Sequence, residues 1–226
     1  MSMAILFIVN PKLNKSRKAK IKTMIEETFS EGEYRFYDDY VENIIEEELK
    51  VFDHYVAVGG DGTAYQTVNL MMKTPYRRFS LIPAGSGNDF ARTLGLKRDY
   101  GEIIKSIKSA LPRSMDLCRW NNRYFLNIAS VGLDADVNAL NTSTDKEIGG
   151  ISYSFKIFDA VKNYRFRKIQ QEYYSEREWT LFTFGNGGYY GGGFPIFKEA
   201  NPFSGKILFL GAGKSRLPYV IPFLAC

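Results

Sequence analysis

Two glycine-rich turns, each ending an apolar run and opening a helical pattern, constrain this chain more than any other feature. The first is Val56-Ala57-Val58-Gly59-Gly60-Asp61-Gly62-Thr63, followed by helix-spaced Ala64, Tyr65, Val68 and Met72. That pattern predicts a buried strand, a tight turn and a helix N-terminus, in that order. Such a unit suits an anion: glycine lets the backbone approach closely, and first-turn N–H groups lack intrahelical acceptors. A carboxylate beside phosphate is repulsive unless a cation lies between them. Asp61 therefore points to a magnesium–nucleotide site, against the plain alternative of an ordinary strand-to-helix turn. The spacing is neither that of a P-loop, which needs Gly-Lys-Ser/Thr, nor that of the dinucleotide fingerprint.

The second turn is Pro83-Ala84-Gly85-Ser86-Gly87-Asn88-Asp89-Phe90-Ala91, after the apolar run Phe79 to Ile82. Two such turns at the carboxyl ends of strands in one small α/β unit are expected to face one crevice.

Ala4 to Val9 reads as a central parallel strand, ending at Asn10-Pro11 and a basic loop with Lys12, Lys15 and Arg17. These cations attract phosphate or simply keep the loop solvated. Ile21, Met24, Ile25 and Phe29 mark one helix face, Tyr34 to Tyr37 a strand, and Val41, Ile44, Ile45, Leu49 and Phe52 a second amphipathic helix. His54 to Val58 leads into the first turn. This β-α-β alternation predicts a parallel, Rossmann-like sheet with right-handed crossovers. Ile103, Ile104 and Ile107 mark a further helix, Ser114 to Leu117 a strand, and Arg119 to Tyr124 a hairpin whose second strand runs to Ser130. Gly132 to Ala135 opens a helix and Ile151 to Tyr164 is another. Strands follow at Ile169–Tyr174, Trp179–Phe184 and Ile207–Leu210. Residues 1–117 thus read as an α/β nucleotide-binding domain. Residues 118–226 read as a β-rich, sandwich-like substrate domain, with the site in the cleft between them.

The pair Gly-Gly-Asp-Gly-Thr (59–63) and Pro-Ala-Gly-Ser-Gly-Asn-Asp-Phe-Ala-Arg (83–92) resembles the catalytic domain of diacylglycerol kinases, in the bacterial soluble lipid-kinase branch. Sphingosine and ceramide kinases share it, and NAD kinases are more distant relatives through the first turn alone. Weaker matches run from Asn10-Pro11 to Asn186 and Gly191-Gly192-Gly193, so the resemblance covers nearly the whole chain. It implies transfer of the γ-phosphoryl group of ATP to a lipid hydroxyl, most simply diacylglycerol giving phosphatidic acid. Asn10, Pro11, Gly59, Gly60, Asp61, Gly62, Thr63, Gly85, Ser86, Gly87 and Asn88 would bind nucleotide. Asp61, Asp89 and Asp116 would hold Mg²⁺ through waters, with ATP and Mg²⁺ as cofactors. A sphingoid-type or NAD kinase, and a non-catalytic nucleotide- or lipid-binding protein, are the alternatives.

Three departures from the family pattern matter. Leu13 and Asn14 stand where the phosphate loop has a small residue and glycine, and Ser204 stands where a structural magnesium site has a carboxylate. The Asp-Gly-Glu turn whose acid is thought to deprotonate the lipid hydroxyl does not occur, so no general base is assigned in this chain. The chain is therefore expected to be a fragment or a naturally shortened protein.

Other chemistries fit poorly. His54 is the sole histidine, which leaves a Ser-His-Asp hydrolase to one residue at a strand start. Cys118 and Cys226 have no metal or redox spacing, and with no leader peptide they suggest a reducing cytoplasm. A formal charge of +5 comes without a nucleic-acid motif. It suits a nucleotide or an anionic lipid surface, or serves solubility alone. Basic residues from Lys156 to Lys168, with nearby aromatics, are the candidate face for peripheral contact with the inner side of a membrane. Unpaired sheet edges would favour a homodimer.

Overall fold

The computed structural model describes residues 4–132, 167–169 and 177–213. Two compact units emerge, one of Met1–Asn127 with Asn186–Lys206, the other of Ile128–Gly185 with Ile207–Cys226. The units are not consecutive in sequence. Asn186–Lys206, assigned from sequence to the second domain, belongs to the first unit, and the first unit extends past residue 117.

The first unit is built on a parallel sheet in the order β2-β1-β3-β4. Its strands are β1 (Ile5–Val9), β2 (Tyr34–Tyr37), β3 (His54–Gly59) and β4 (Arg78–Pro83). β1 and β3 are buried at every position because helices and loops cover both faces, which is why both read as unbroken apolar runs. Helix α1 (Lys15–Thr28) follows β1, and Ile21 and Ile25 join Phe7, Val9, Val56, Val58 and Ile82 in one core cluster. Helix α2 (Asp61–Met71) covers the other face, where Ala64 and Val68 meet Ala57, Leu81 and Phe90. Helix α3 (Asp89–Thr93) and helix α4 (Tyr100–Ser109) complete the unit, α4 burying Ile104 and Ile107 on the α1 side.

The amphipathic helix expected over Val41 to Phe52 is instead two 3-10 turns, Val41–Asn43 and Glu46–Val51. Ile44 and Ile45 between them are extended. This path lets Val41, Ile44, Leu49 and Phe52 reach one cluster while Glu46, Glu47 and Glu48 stay exposed.

The strand expected at Ser114–Leu117 does not form either. Asp116 N donates to Pro202 O at 2.7 Å, so this backbone pairs with a turn rather than a strand. The hairpin begins just after it, as β5 (Cys118–Trp120) and β6 (Arg123–Phe125), with Asn121 left-handed at φ 51. Asn69 fastens it to α2: its amide donates to Tyr124 O and its carbonyl accepts from Tyr124 N, each at 2.9 Å. The expected run to Ser130 breaks at Leu126-Asn127, where Asn127 turns to bond residues 186, 187 and 189.

In the second unit β7 (Ile128–Gly132), β8 (Arg167–Ile169) and β12 (Leu208–Gly213) all pair antiparallel with β9 (Arg177–Gly185). Phe182 and Phe209 pack with ring centroids 4.5 Å apart. A short ribbon, β10 (Tyr189–Tyr190) and β11 (Phe194–Pro195), belongs to the first unit. The helices expected from Gly132 to Ala135 and Ile151 to Tyr164, most of the basic Lys156 to Lys168 stretch and most of the strand Ile169 to Tyr174 lie outside the described residues. No helix among the described residues is long and apolar enough to cross a membrane.

Candidate nucleotide site

β3 and β4 are neighbours in register, Gly59 opposite Pro83, so the two glycine turns leave the sheet side by side. Ala84 N donates to Gly59 O at 2.9 Å, and a Cβ on Gly85 would lie 2.4 Å from Gly60 Cα. The turns touch backbone to backbone. Only glycine allows that approach, which brings the start of α2 against the second turn. Gly59 has a different neighbour: the buried Thr63 side chain folds over it, with Oγ1 2.2 Å from any Cβ placed there. Gly60 caps α2 with no side-chain bond to its first-turn amides.

Asp61 also works within the fold. Its Oδ2 accepts from Asp89 N at 3.0 Å and its Oδ1 from Phe90 N at 2.8 Å. The carboxylate thus caps α3 from the start of α2 and locks one turn to the other. Asn88, at φ 55, closes the second turn on itself: Oδ1 accepts from Gly85 N at 3.0 Å and Nδ2 donates to Gly85 O at 2.8 Å.

Asp89 reaches onward, accepting from Gly192 N at 2.8 Å through Oδ2 and from Arg92 Nη1 at 2.6 Å through Oδ1. Thr93 Oγ1 accepts from Gly188 N at 3.0 Å. Residues 186–193 are thereby tied to α3, and Gly191, Gly192 and Gly193 all take positive φ to make the reversal. Asn186, 1 % exposed, donates to Leu126 O at 2.8 Å and Asp116 O at 3.1 Å.

Asp116 keeps different company. Its Oδ2 accepts from Gly205 N at 2.6 Å, in the turn that contains Ser204. Among the described residues no group of three acidic, histidine or cysteine side chains could hold a metal ion. Asp61 and Asp89 lie close together, both near Gly87, but all four of their oxygens already accept hydrogen bonds. A water-linked magnesium at Asp61, Asp89 and Asp116 would use the lone pairs that these hydrogen bonds leave on the carboxylates.

The Asn10-Pro11 loop lies beside β3. Asn10 N donates to Val58 O at 3.0 Å, and Asn10 Oδ1 accepts from Lys12 N at 2.9 Å. Pro11 O accepts from Lys18 Nζ at 3.4 Å. Leu13 is buried in the same core cluster as Ala84, and Asn14 caps α1 by accepting from Arg17 N at 3.2 Å. The two departures at 13 and 14 are therefore absorbed as a core residue and a helix cap.

His54 is buried, shares a 2.9 Å hydrogen bond with Ser80 Oγ, and is held neutral by burial and by the Arg78 charge, its pKa lowered to about 4. It has no contact with the turns. Burial, and secondarily Asp116, push the Cys118 thiol above its ordinary range, which lowers its thiolate fraction. The reading from sequence missed Arg98, whose guanidinium lies on the second turn; Lys97-Arg98 follows α3 with no pattern to mark it.

The family model for the diacylglycerol kinase catalytic domain matches residues 4–120. A diacylglycerol kinase of Staphylococcus epidermidis is 32% identical over 163 residues, 71% of this chain and 50% of that protein. One of Staphylococcus haemolyticus is 33% identical over 124 residues, 54% of this chain and 38% of that protein. The chain spans about half the length of the curated relatives it matches. A solved diacylglycerol kinase structure from Bacillus anthracis shares the fold, with a TM-score of 0.69 at 22% identity over 99% of this chain and 78% of that one.

Proposed function

We propose, because this chain belongs to the diacylglycerol kinase catalytic-domain family, that it holds ATP for transfer of the γ-phosphoryl group to a lipid hydroxyl, diacylglycerol first among candidates. The observation that carries the reading is the backbone contact between the two glycine turns, with α2 starting there at an uncapped glycine. First-turn N–H groups of Gly60 to Thr63 would take phosphate oxygens, and exposed Ser86 would add a hydroxyl donor. Phosphoryl transfer asks mainly for positioning and charge neutralisation, which fixed amides supply without reorganisation. Magnesium enters with the nucleotide as part of the substrate.

The lipid must be presented at a membrane surface, and the described residues do not include most of the basic stretch nominated for that contact. The test is labelled ATP with diacylglycerol in mixed micelles. Labelled phosphatidic acid supports the kinase reading. ATP binding without labelled lipid supports the second reading, a nucleotide-binding module.

A further inference from the structure

The charge of a triphosphate needs more than the amides of one helix, and the side chains that meet it follow from how the neighbouring amides are used; this inference rests on the ATP reading. At α1, Asn14 Oδ1 already accepts an amide, and at α3 the carboxylate of Asp61 accepts two. At α2 the cap is a glycine. Two guanidinium groups approach the second turn from different elements. Arg17, in the first turn of α1, donates from Nη1 to Ala84 O at 2.8 Å. Arg98, in the loop between α3 and α4, reaches Gly85 O at 3.4 Å and Ser86 O at 3.3 Å through Nη2.

Ala84 is also the residue whose amide bonds Gly59, so Arg17 sits one peptide away from the first turn. Its placement is electrostatically odd. The first turn of α1 carries Lys15 and Arg17 with no acidic residue, at the helix end whose dipole disfavours cations. A bound anion would reverse the sign of that interaction. Each guanidinium has five N–H donors in a rigid plane, and a carbonyl contact leaves most of them free to fork onto phosphate.

We propose that Arg17 and Arg98 form a two-guanidinium clamp that grips the nucleotide phosphates across the second glycine turn. Each arginine keeps its carbonyl contact as an anchor and turns its remaining N–H groups to phosphate oxygens. The clamp takes up charge that the Asn10–Asn14 loop, with Leu13 buried and Asn14 spent as a cap, does not neutralise through its own turn.

Calorimetric titration of the full chain with MgATP and with adenosine, on wild type, Arg17→Gln, Arg98→Gln and the two lysine variants, tests it. Each glutamine variant should weaken ATP about tenfold while adenosine changes less than about twofold, and lysine should recover part of the loss. The slope of ATP affinity against salt should also become shallower. Arg98 is exposed, so its variants keep the test readable if Arg17→Gln disturbs folding. Wild type that binds ATP with variants unchanged, or variants that lose ATP and adenosine in equal proportion, would overturn the clamp and leave the ATP reading standing. Wild type that binds neither ligand would end both.

Discussion

At the scale of single residues, the glycines of the two turns separate into those that are packed and those that are free. A Cβ on Gly85 meets Gly60 backbone atoms at 2.4 and 2.8 Å, whereas one on Gly62 meets nothing within 4 Å. Backbone cannot swing aside as a side chain can, so Gly85→Ala must part the turns, at a cost of about 1–3 kcal/mol. Calorimetry should then show ATP affinity reduced about tenfold or more, with Gly62→Ala close to wild type. His54 makes a separate prediction. Its pKa falls from 6.5 to about 4 in the fold, so between those values the unfolded chain binds the extra proton. The stability it contributes is present above pH 6.5 and is lost as pH falls toward 4, by roughly 3 kcal/mol in full. Urea unfolding at pH 7 and pH 4.5 should show a steeper loss for wild type than for His54→Gln; equal losses would refute it.

Between elements, Asp61 is the chief tie in the site, joining the start of α2 to the start of α3. Asp61→Ala leaves the amides of Asp89 and Phe90 without their acceptor, a loss of about 1–3 kcal/mol. Because this is a bond within the protein, the thermal midpoint should fall even in EDTA with no nucleotide. If the carboxylate served only a metal, the midpoint in EDTA would be unchanged. The same layer of structure explains where the pattern of apolar residues misled. Spacing over Val41 to Phe52 suits a helix, yet two 3-10 turns place Val41, Ile44, Leu49 and Phe52 on the core and leave Ile45, with Glu46 to Glu48, outside. Periodicity marks most of the buried residues here without fixing the backbone path that buries them.

For the molecule as a whole, β4 is one of the two edge strands of the parallel sheet among the described residues, with β2 at the other side. A cavity of about 1140 Å³ runs beside β4, lined by Phe79, Leu81, Ile103, Ile107, Met115 and Phe203. Leu111, 92 % exposed, stands on its rim. An edge strand with apolar surface beside it can template association. Sedimentation at rising concentration should show a larger species, and Leu111→Glu should weaken it without lowering the thermal midpoint; a monomer at all concentrations would count against this. The parallel sheet, the two turns and their adjacency were legible in the chain because strand runs, glycine spacing and helix starts are local signals. Asn186–Lys206 folding back onto the first unit was not, since its anchors are Asp89, Thr93, Asp116 and Asn127, far away in sequence. The sequence by itself determined that two apolar runs each end in a glycine turn that opens a helix, since run, glycine spacing and helix start are set by residues close together in the chain. Which amides the Asp61 carboxylate holds was decided by tertiary structure alone, because those of Asp89 and Phe90 lie 28 and 29 residues on in the chain and only folding brings them within about 3 Å.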